Sequence, residues 1–197
     1  MKNFNRCIFV LFVFAALLLT NCSGKKAQGT PETVAPTTEQ LAQRGDYLVT
    51  IMGCHDCHSP KSISPEGSNL IPELLLSGYQ ANNPSTNPDP GCIKGGWVLI
   101  TMDLTTAAGP WGISYSANLT SDQSGIGNWT LDNFKRALKE GKYKGLENSR
   151  PLLPPMPWTN FTNIRDEDIE AIFAYLQSTK PVVNVVPQAV PPDMALK

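Results

Sequence analysis

The sequence predicts an all-α fold interrupted by one long loop, and three observations carry that expectation. Three segments place apolar residues at helical spacing. The stretch between the first and second of them, residues 59–129, is long and contains ANNPSTNPDPG, which can only be loop. Both histidines and two of the five cysteines fall together in CHDCH, residues 54–58, directly after the first helical segment.

The chain has 197 residues, enough for one domain with residues left for targeting and tails. A hydrophobic content of 41% suits a globular core. The 17 prolines and 15 glycines point to structured loops. A net charge of −1 offers no strongly basic face, so nucleic acid is not an expected partner.

Residues 1–22 read as an export signal. Lys2 and Arg6 precede the apolar run CIFVLFVFAALLLT, which is shorter than a spanning helix needs. LTNC then resembles the lipobox of bacterial lipoproteins, with Cys22 as the residue to be lipidated, although Asn21 replaces the usual small residue before it. Residues 23–38 are small, polar and without apolar period. They read as a flexible tether with a reach of about 20–25 Å. The domain proper is expected over 39–181, and 182–197 as an extended, Pro/Val-rich C-terminal tail.

The first helix is expected over Glu39–Met52, with Leu41, Gly45, Leu48 and Met52 on one face and Thr37 or Thr38 as its cap. In the long loop, WVLITMDL and WGISYSANL are rich in β-branched and aromatic residues and suit a small hairpin. The middle helix is expected over Leu131–Glu140, capped by Thr130 and stopped by Gly141. The last is expected over Asp166–Gln177, with three acids in the first turn favoured by the helix dipole.

CHDCH admits three chemistries. Two thiols separated by two residues can each add to a vinyl group of haem, and the next residue, His58, then lies under the iron; this is the signature of c-type haem attachment. A zinc site would combine Cys54, Cys57, His58 and Cys92, but an adjacent His ligand is awkward around a tetrahedral ion. A redox dithiol would be expected near a βαβ unit, and no such pattern is present.

With haem, the sixth iron ligand must come from a short inventory. His55 lies inside the attachment loop, on the wrong side, which disfavours a second histidine. Met52, Met102, Met156 and Met194 remain. Met52 reads as core or as too near the motif, Met102 as packing, and Met194 as part of a loose tail. Met156 sits in RPLLPPMPW, where Pro154, Pro155 and Pro157 restrict the backbone that carries it. Trp129 and Arg150 are candidate donors to a haem propionate. The run Lys135, Arg136, Lys139, Lys142 and Lys144 reads as a solvated face or as a docking patch for an acidic partner.

The order of these features resembles class I c-type cytochromes: a helix with Gly45 and Tyr47, then CHDCH, a middle helix, a methionine segment and an amphipathic last helix with aromatics. The pieces CHSPK, LLLSGYQA, AGPWGISYSANLTSD, GIGNWTLDNFKRALKEGK, RPLLPPMPW and DEDIEAIFAYLQSTKPVVNVVP resemble the cytochrome subunits and domains that accept electrons from bacterial dehydrogenases. Together they cover about residues 39–187. The resemblance implies a helical cytochrome c fold with an enlarged loop between the haem-attachment motif and the middle helix. It implies Gly45 against Tyr175 or Phe173 where the first and last helices cross. It also implies one haem c bound to Cys54 and Cys57, with His58 and Met156 as axial ligands.

The function expected is extracytoplasmic electron transfer from a dehydrogenase to a respiratory chain, by a carrier that is not itself an enzyme. Its acceptor would be a terminal oxidase or another cytochrome. Its place would be the periplasmic side of a bacterial membrane, lipid-anchored or else soluble. Two other classes stay open: a ligand-binding or peroxidase-like haem protein with a displaceable sixth ligand, and a structural zinc module.

Overall fold

A computed structural model of the chain describes residues 35–83 and 87–195. The export segment, Cys22 and most of the tether therefore lie outside the described residues.

Helix α1 spans Thr38–Ile51. Thr37 is its cap and closes a box with Gln40: the Gln40 N–H donates to Thr37 Oγ1 (3.2 Å), and the Thr37 N–H donates to Gln40 Oε1 (2.9 Å). After the short helix α2, Cys54–His58, the long segment runs through two small antiparallel sheets. The first is a hairpin of β1 (Lys61–Ser64) and β2 (Gly67–Leu70). Helix α3, Pro90–Lys94, begins inside the stretch expected to be loop alone, because Asp89 caps it and Pro90 suits a first helical position; it leads to β3 (Leu99–Ile100), β4 (Thr106–Gly109) and β5 (Gly112–Tyr115), ordered β3-β4-β5.

This corrects the expected hairpin. The segments WVLITMDL and WGISYSANL do not pair with each other. Each pairs with β4, whose sequence TAAG has little strand propensity but small side chains that bury completely. The described chain is thus a helical frame carrying β structure rather than a purely α domain.

Helices α4 (Leu131–Glu140) and α5 (Asp166–Ser178) complete the frame. Thr130 caps α4 in a box with Asn133, and Gly141 ends it at φ +66°. The helix α5 has Arg165 at its N-cap, without a side-chain cap bond. Arg165 Nε instead reaches Asp168 Oδ2 at 3.0 Å, and Arg44 of α1 binds the other carboxylate oxygen.

The helices α1 and α5 cross at Gly45. A Cβ there would stand 2.6 Å from Tyr175 Cβ and collide with the Ala171 carbonyl, so a hydrogen in place of a side chain lets the two backbones meet. Of the two aromatics expected at this crossing, it is Tyr175 that fills it. Phe173 instead stacks on Phe134 of α4, with ring centroids 5.4 Å apart. Val49, Phe134, Leu138, Ile169, Ile172 and Leu176 form the centre of the main core. Burial of such side chains contributes about 1.5–3 kcal/mol each.

Among the described residues, the tail is pinned at Asn184 and at Val190. Asn184 is buried, and its Nδ2 donates to the Ser77 (2.7 Å) and Tyr79 (2.9 Å) carbonyls. Val190 bridges to Ile113 of β5, and Pro192–Ala195 form a last short helix, α6.

Candidate functional site

Gly53 separates α1 from α2. Its φ of +70° turns the chain so that CHDCH begins a new helical turn. Cys54 and Cys57 are both free thiols and both half-buried. Burial pushes the Cys54 thiol up to about 11 and raises that of Cys57 as well. A reactive dithiol needs the opposite shift, because the thiolate is the nucleophile.

His58 follows. Its Nδ1 lies 2.8 Å from the carbonyl oxygen of Ala117. A carbonyl only accepts, so Nδ1 carries the proton and the Nε2 lone pair is available to a ligand. Burial pushes the His58 pKa down, against the pull of the Ala117 carbonyl, which favours the neutral ring.

The Ala117 carbonyl is held in place by the loop that follows β2. Gly78 donates its N–H to the His58 carbonyl (2.8 Å), Tyr79 donates to Ser116 O (2.9 Å), and Leu119 donates to Leu76 O (2.8 Å). Gly78 is buried at φ +73°, and a Cβ on it would stand 2.5 Å from the Ala117 carbonyl atoms. Only glycine fits that position.

His55 is more than the spacer its place in the motif suggests. Its Nδ1 meets Ser59 Oγ at 2.8 Å, and the same buried hydroxyl accepts the Leu76 N–H at 2.8 Å. Lys61 fastens the motif from below, donating to the carbonyls of Asp56 (2.6 Å), Ser59 (3.2 Å) and Asp103 (2.9 Å).

Met156 is half-buried and packs against the main core, as do Cys54, Leu119 and Trp129. Trp129 therefore sits on the same cluster as Met156. Arg150 is turned elsewhere: its guanidinium lies 4.0 Å from the Tyr143 ring centroid and donates to Pro151 O. Met52 caps α1 and touches the core. Met102 departs from the packing expected of it, being 75% exposed on the β3–β4 turn.

The basic run is largely committed within the domain. Lys135 pairs with Asp166 (3.2 Å) and Glu170 (3.3 Å), Lys139 pairs with Asp166 (2.9 Å), and Arg136 donates to Gly145 O (2.6 Å). Cys92 belongs to α3, where its thiol meets Asp89 Oδ2 at 3.6 Å. Among the described residues, no three or more His, Cys, Asp or Glu side chains gather as a metal-binding group, which leaves the four-residue zinc reading without an assembled site.

Ala117, Gly78, Ser59, Lys61 and Asn184 were not marked by sequence as parts of this site. LLLSGYQA and YSANL stood out as segments, but nothing local in them reveals that their backbones meet.

No family model matches the chain. Its sequence is nevertheless similar to components of bacterial dehydrogenases, several of them cytochrome c subunits, and to a dihaem c-type cytochrome of Cereibacter sphaeroides, and this supports a cytochrome c family. A nicotinate dehydrogenase component from Pseudomonas putida is 31% identical over 80% of this chain and 10% of its own length. An alcohol dehydrogenase (quinone) cytochrome c subunit of Gluconacetobacter polyoxogenes is 37% identical over 87% of this chain and 28% of its own. The fructose dehydrogenase cytochrome subunit of Gluconobacter japonicus is 27% identical over 84% and 27%. The chain thus spans only 10% to 28% of the length of these dehydrogenase relatives.

Proposed function

We propose that this chain carries electrons for a dehydrogenase through one haem c, held by Cys54 and Cys57 and ligated by His58 and Met156. The observation that carries the reading is the His58–Ala117 hydrogen bond beside two half-buried cysteines. It leaves a neutral imidazole with Nε2 available, directly after two cysteines at vinyl spacing.

The residues present fit such a group. His58 is oriented by a carbonyl, as metal-bound histidines are. Cys54 and Met156 pack against the same apolar cluster. Trp129 packs on that cluster and in this reading would offer its indole N–H to a propionate, while Arg150 would have to leave Tyr143 to serve as one. A haem bound there supplies a one-electron Fe(III)/Fe(II) couple. The single attachment motif supports one haem, and the crossing of α1 and α5 at Gly45 suits the cytochrome c fold.

The chain is in this reading a carrier subunit rather than an enzyme. It takes electrons from a dehydrogenase and passes them to an oxidase or another cytochrome. Similarity to dehydrogenase subunits supports that donor. Export, lipidation at Cys22 and tethering on the periplasmic side of a membrane complete the proposal. Among the described residues, no helix is long and apolar enough to cross a membrane.

The test is expression of the full chain with a haem-attachment system. One covalent haem per chain, with the weak red-edge band of thioether-ligated ferric iron, is expected. Met156→Ala should abolish that band, and Cys92→Ser should leave haem content unchanged. A protein that binds zinc and lacks a Soret band would overturn the reading. So would a high-spin spectrum unaffected by Met156→Ala.

A further inference from the structure

The loop bearing Met156 has an unusual polar make-up. Pro154, Pro155 and Pro157 have no N–H, so this segment offers carbonyls and few donors. The Met156 N–H turns inward to Leu153 O at 3.3 Å. Such a loop must be held from outside by groups that donate to it. The Tyr143 N–H donates to Arg150 O (3.0 Å), the Asn160 N–H to Pro157 O (2.9 Å) and the Arg150 guanidinium to Pro151 O (2.9 Å), but next to Met156 the donating side chain from another element, among the described residues, is Ser114 of β5, whose Oγ lies 2.6 Å from the Pro154 carbonyl oxygen.

The Ser114 hydroxyl has a defined direction. It has one proton and three polar neighbours: the Pro154 carbonyl at 2.6 Å, the Ala107 carbonyl at 3.3 Å and the Trp111 indole Nε1–H at 3.2 Å. The indole only donates, so it fills an oxygen lone pair. The proton then goes to the nearer carbonyl, that of Pro154. The backbone behind it is fixed by the β-ladder, with Ser114 opposite Ala107 and Tyr115 opposite Thr106. Three residues on, the same segment presents the Ala117 carbonyl to His58. Between these points Ser116 donates its N–H to Thr105 O at 2.9 Å and accepts from Tyr79.

We propose that Ser114 is a positioning residue for Met156, so that one segment, Ser114–Ala117, braces both side chains, His58 and Met156, that would hold the iron. This rests on the His58/Met156 reading above. The inserted sheet is then a part of the ligand scaffold and not only a surface ornament.

The experiment is imidazole titration of the ferric holoprotein, full chain, followed by the loss of the thioether–iron band. An external ligand binds only when Met156 lets go, so its apparent affinity scales with the fraction of released loop. Ser114→Ala should bind imidazole about threefold or more tighter than wild type. Ser114→Thr, which keeps the hydroxyl, should return the affinity toward wild type. Removing one half-buried hydroxyl leaves the fold intact, which far-ultraviolet circular dichroism verifies. A smaller change in Ser114→Ala, or a threonine variant no better than alanine, overturns the inference. The ligand reading is judged separately: if Met156→Ala keeps the wild-type band, that reading fails whatever Ser114 does. If Met156→Ala loses the band and Ser114→Ala is unchanged, only the brace falls.

Discussion

His58 donates its ring Nδ1–H to the carbonyl of Ala117, 2.8 Å away and 59 residues further along the chain. That bond selects the tautomer and aims Nε2. Its acceptor is held against Gly78, which also binds the His58 main chain.

Gly78→Ala should therefore damage both fold and site. A non-glycine residue at φ +73° is strained, and its Cβ would push on the Ala117 carbonyl. The expected loss is about 2–4 kcal/mol, measured by denaturant unfolding of the holoprotein. With His58 on the iron as proposed, a weakened Nδ1–H bond makes the imidazole a poorer electron donor, so the reduction potential should rise in redox titration. An unchanged potential would mean that the carbonyl of Ala117 does not tune His58.

Gly45→Ala sets two effects against each other. Helix propensity alone favours alanine by about 1 kcal/mol. The Ala171 carbonyl and Tyr175 Cβ stand in the way, and backbone atoms cannot rotate aside. Overpacking of this kind costs about 1–3 kcal/mol, so the variant should have the lower melting temperature. A more stable alanine variant would show that the two helices separate easily.

Asp168 should shape the acid limb of stability. Burial alone would raise its pKa, but hydrogen bonds and charge from Arg44 and Arg165 outweigh burial and hold the carboxyl below the usual range. The sign follows from linkage. The contribution is complete above the unfolded value of about 4 and fades as pH falls through the lower folded value. Asp168→Asn should cost about 1–2 kcal/mol at pH 7 and flatten the pH dependence below about pH 4. Unfolding curves collected from neutral to acid pH check both, and an unchanged acid slope would discount the ion pair.

Asn184→Ala should destabilise the domain, although it lies in the tail. It would strand the Ser77 and Tyr79 carbonyls and the Ala81 N–H, all of which bond to this one side chain. Unsatisfied buried groups cost about 1–3 kcal/mol each, reduced where water can enter, so a total of about 2–4 kcal/mol is expected. Hydrogen exchange should quicken at Leu76–Ala81 if this side chain holds that loop. Exchange unchanged there would make the tail a passive cover.

Features made within four or five residues were legible from the sequence. Thr130 and Gly141 bound α4 as expected, and Thr37 proved to be one of the two anticipated caps, because caps are local hydrogen bonds. Gly45 was legible through resemblance, which also led to Tyr175. CHDCH was conspicuous because attachment chemistry requires a short covalent spacing.

The central strand was hidden because TAAG earns its place by smallness under Trp111 and between two partners, not by propensity. Met102 resembled core, yet hydrophobicity does not say which side of a turn faces solvent. Which carbonyl meets His58, which hydroxyl meets Pro154 and which amide pins residues 77–81 depend on segments brought together from 40 to 107 residues apart. Such pairings have no period and no spacing rule. A chain can announce the chemistry of two thiols and an imidazole in five adjacent letters, but the direction in which that imidazole points is decided only when the rest of the fold closes around it.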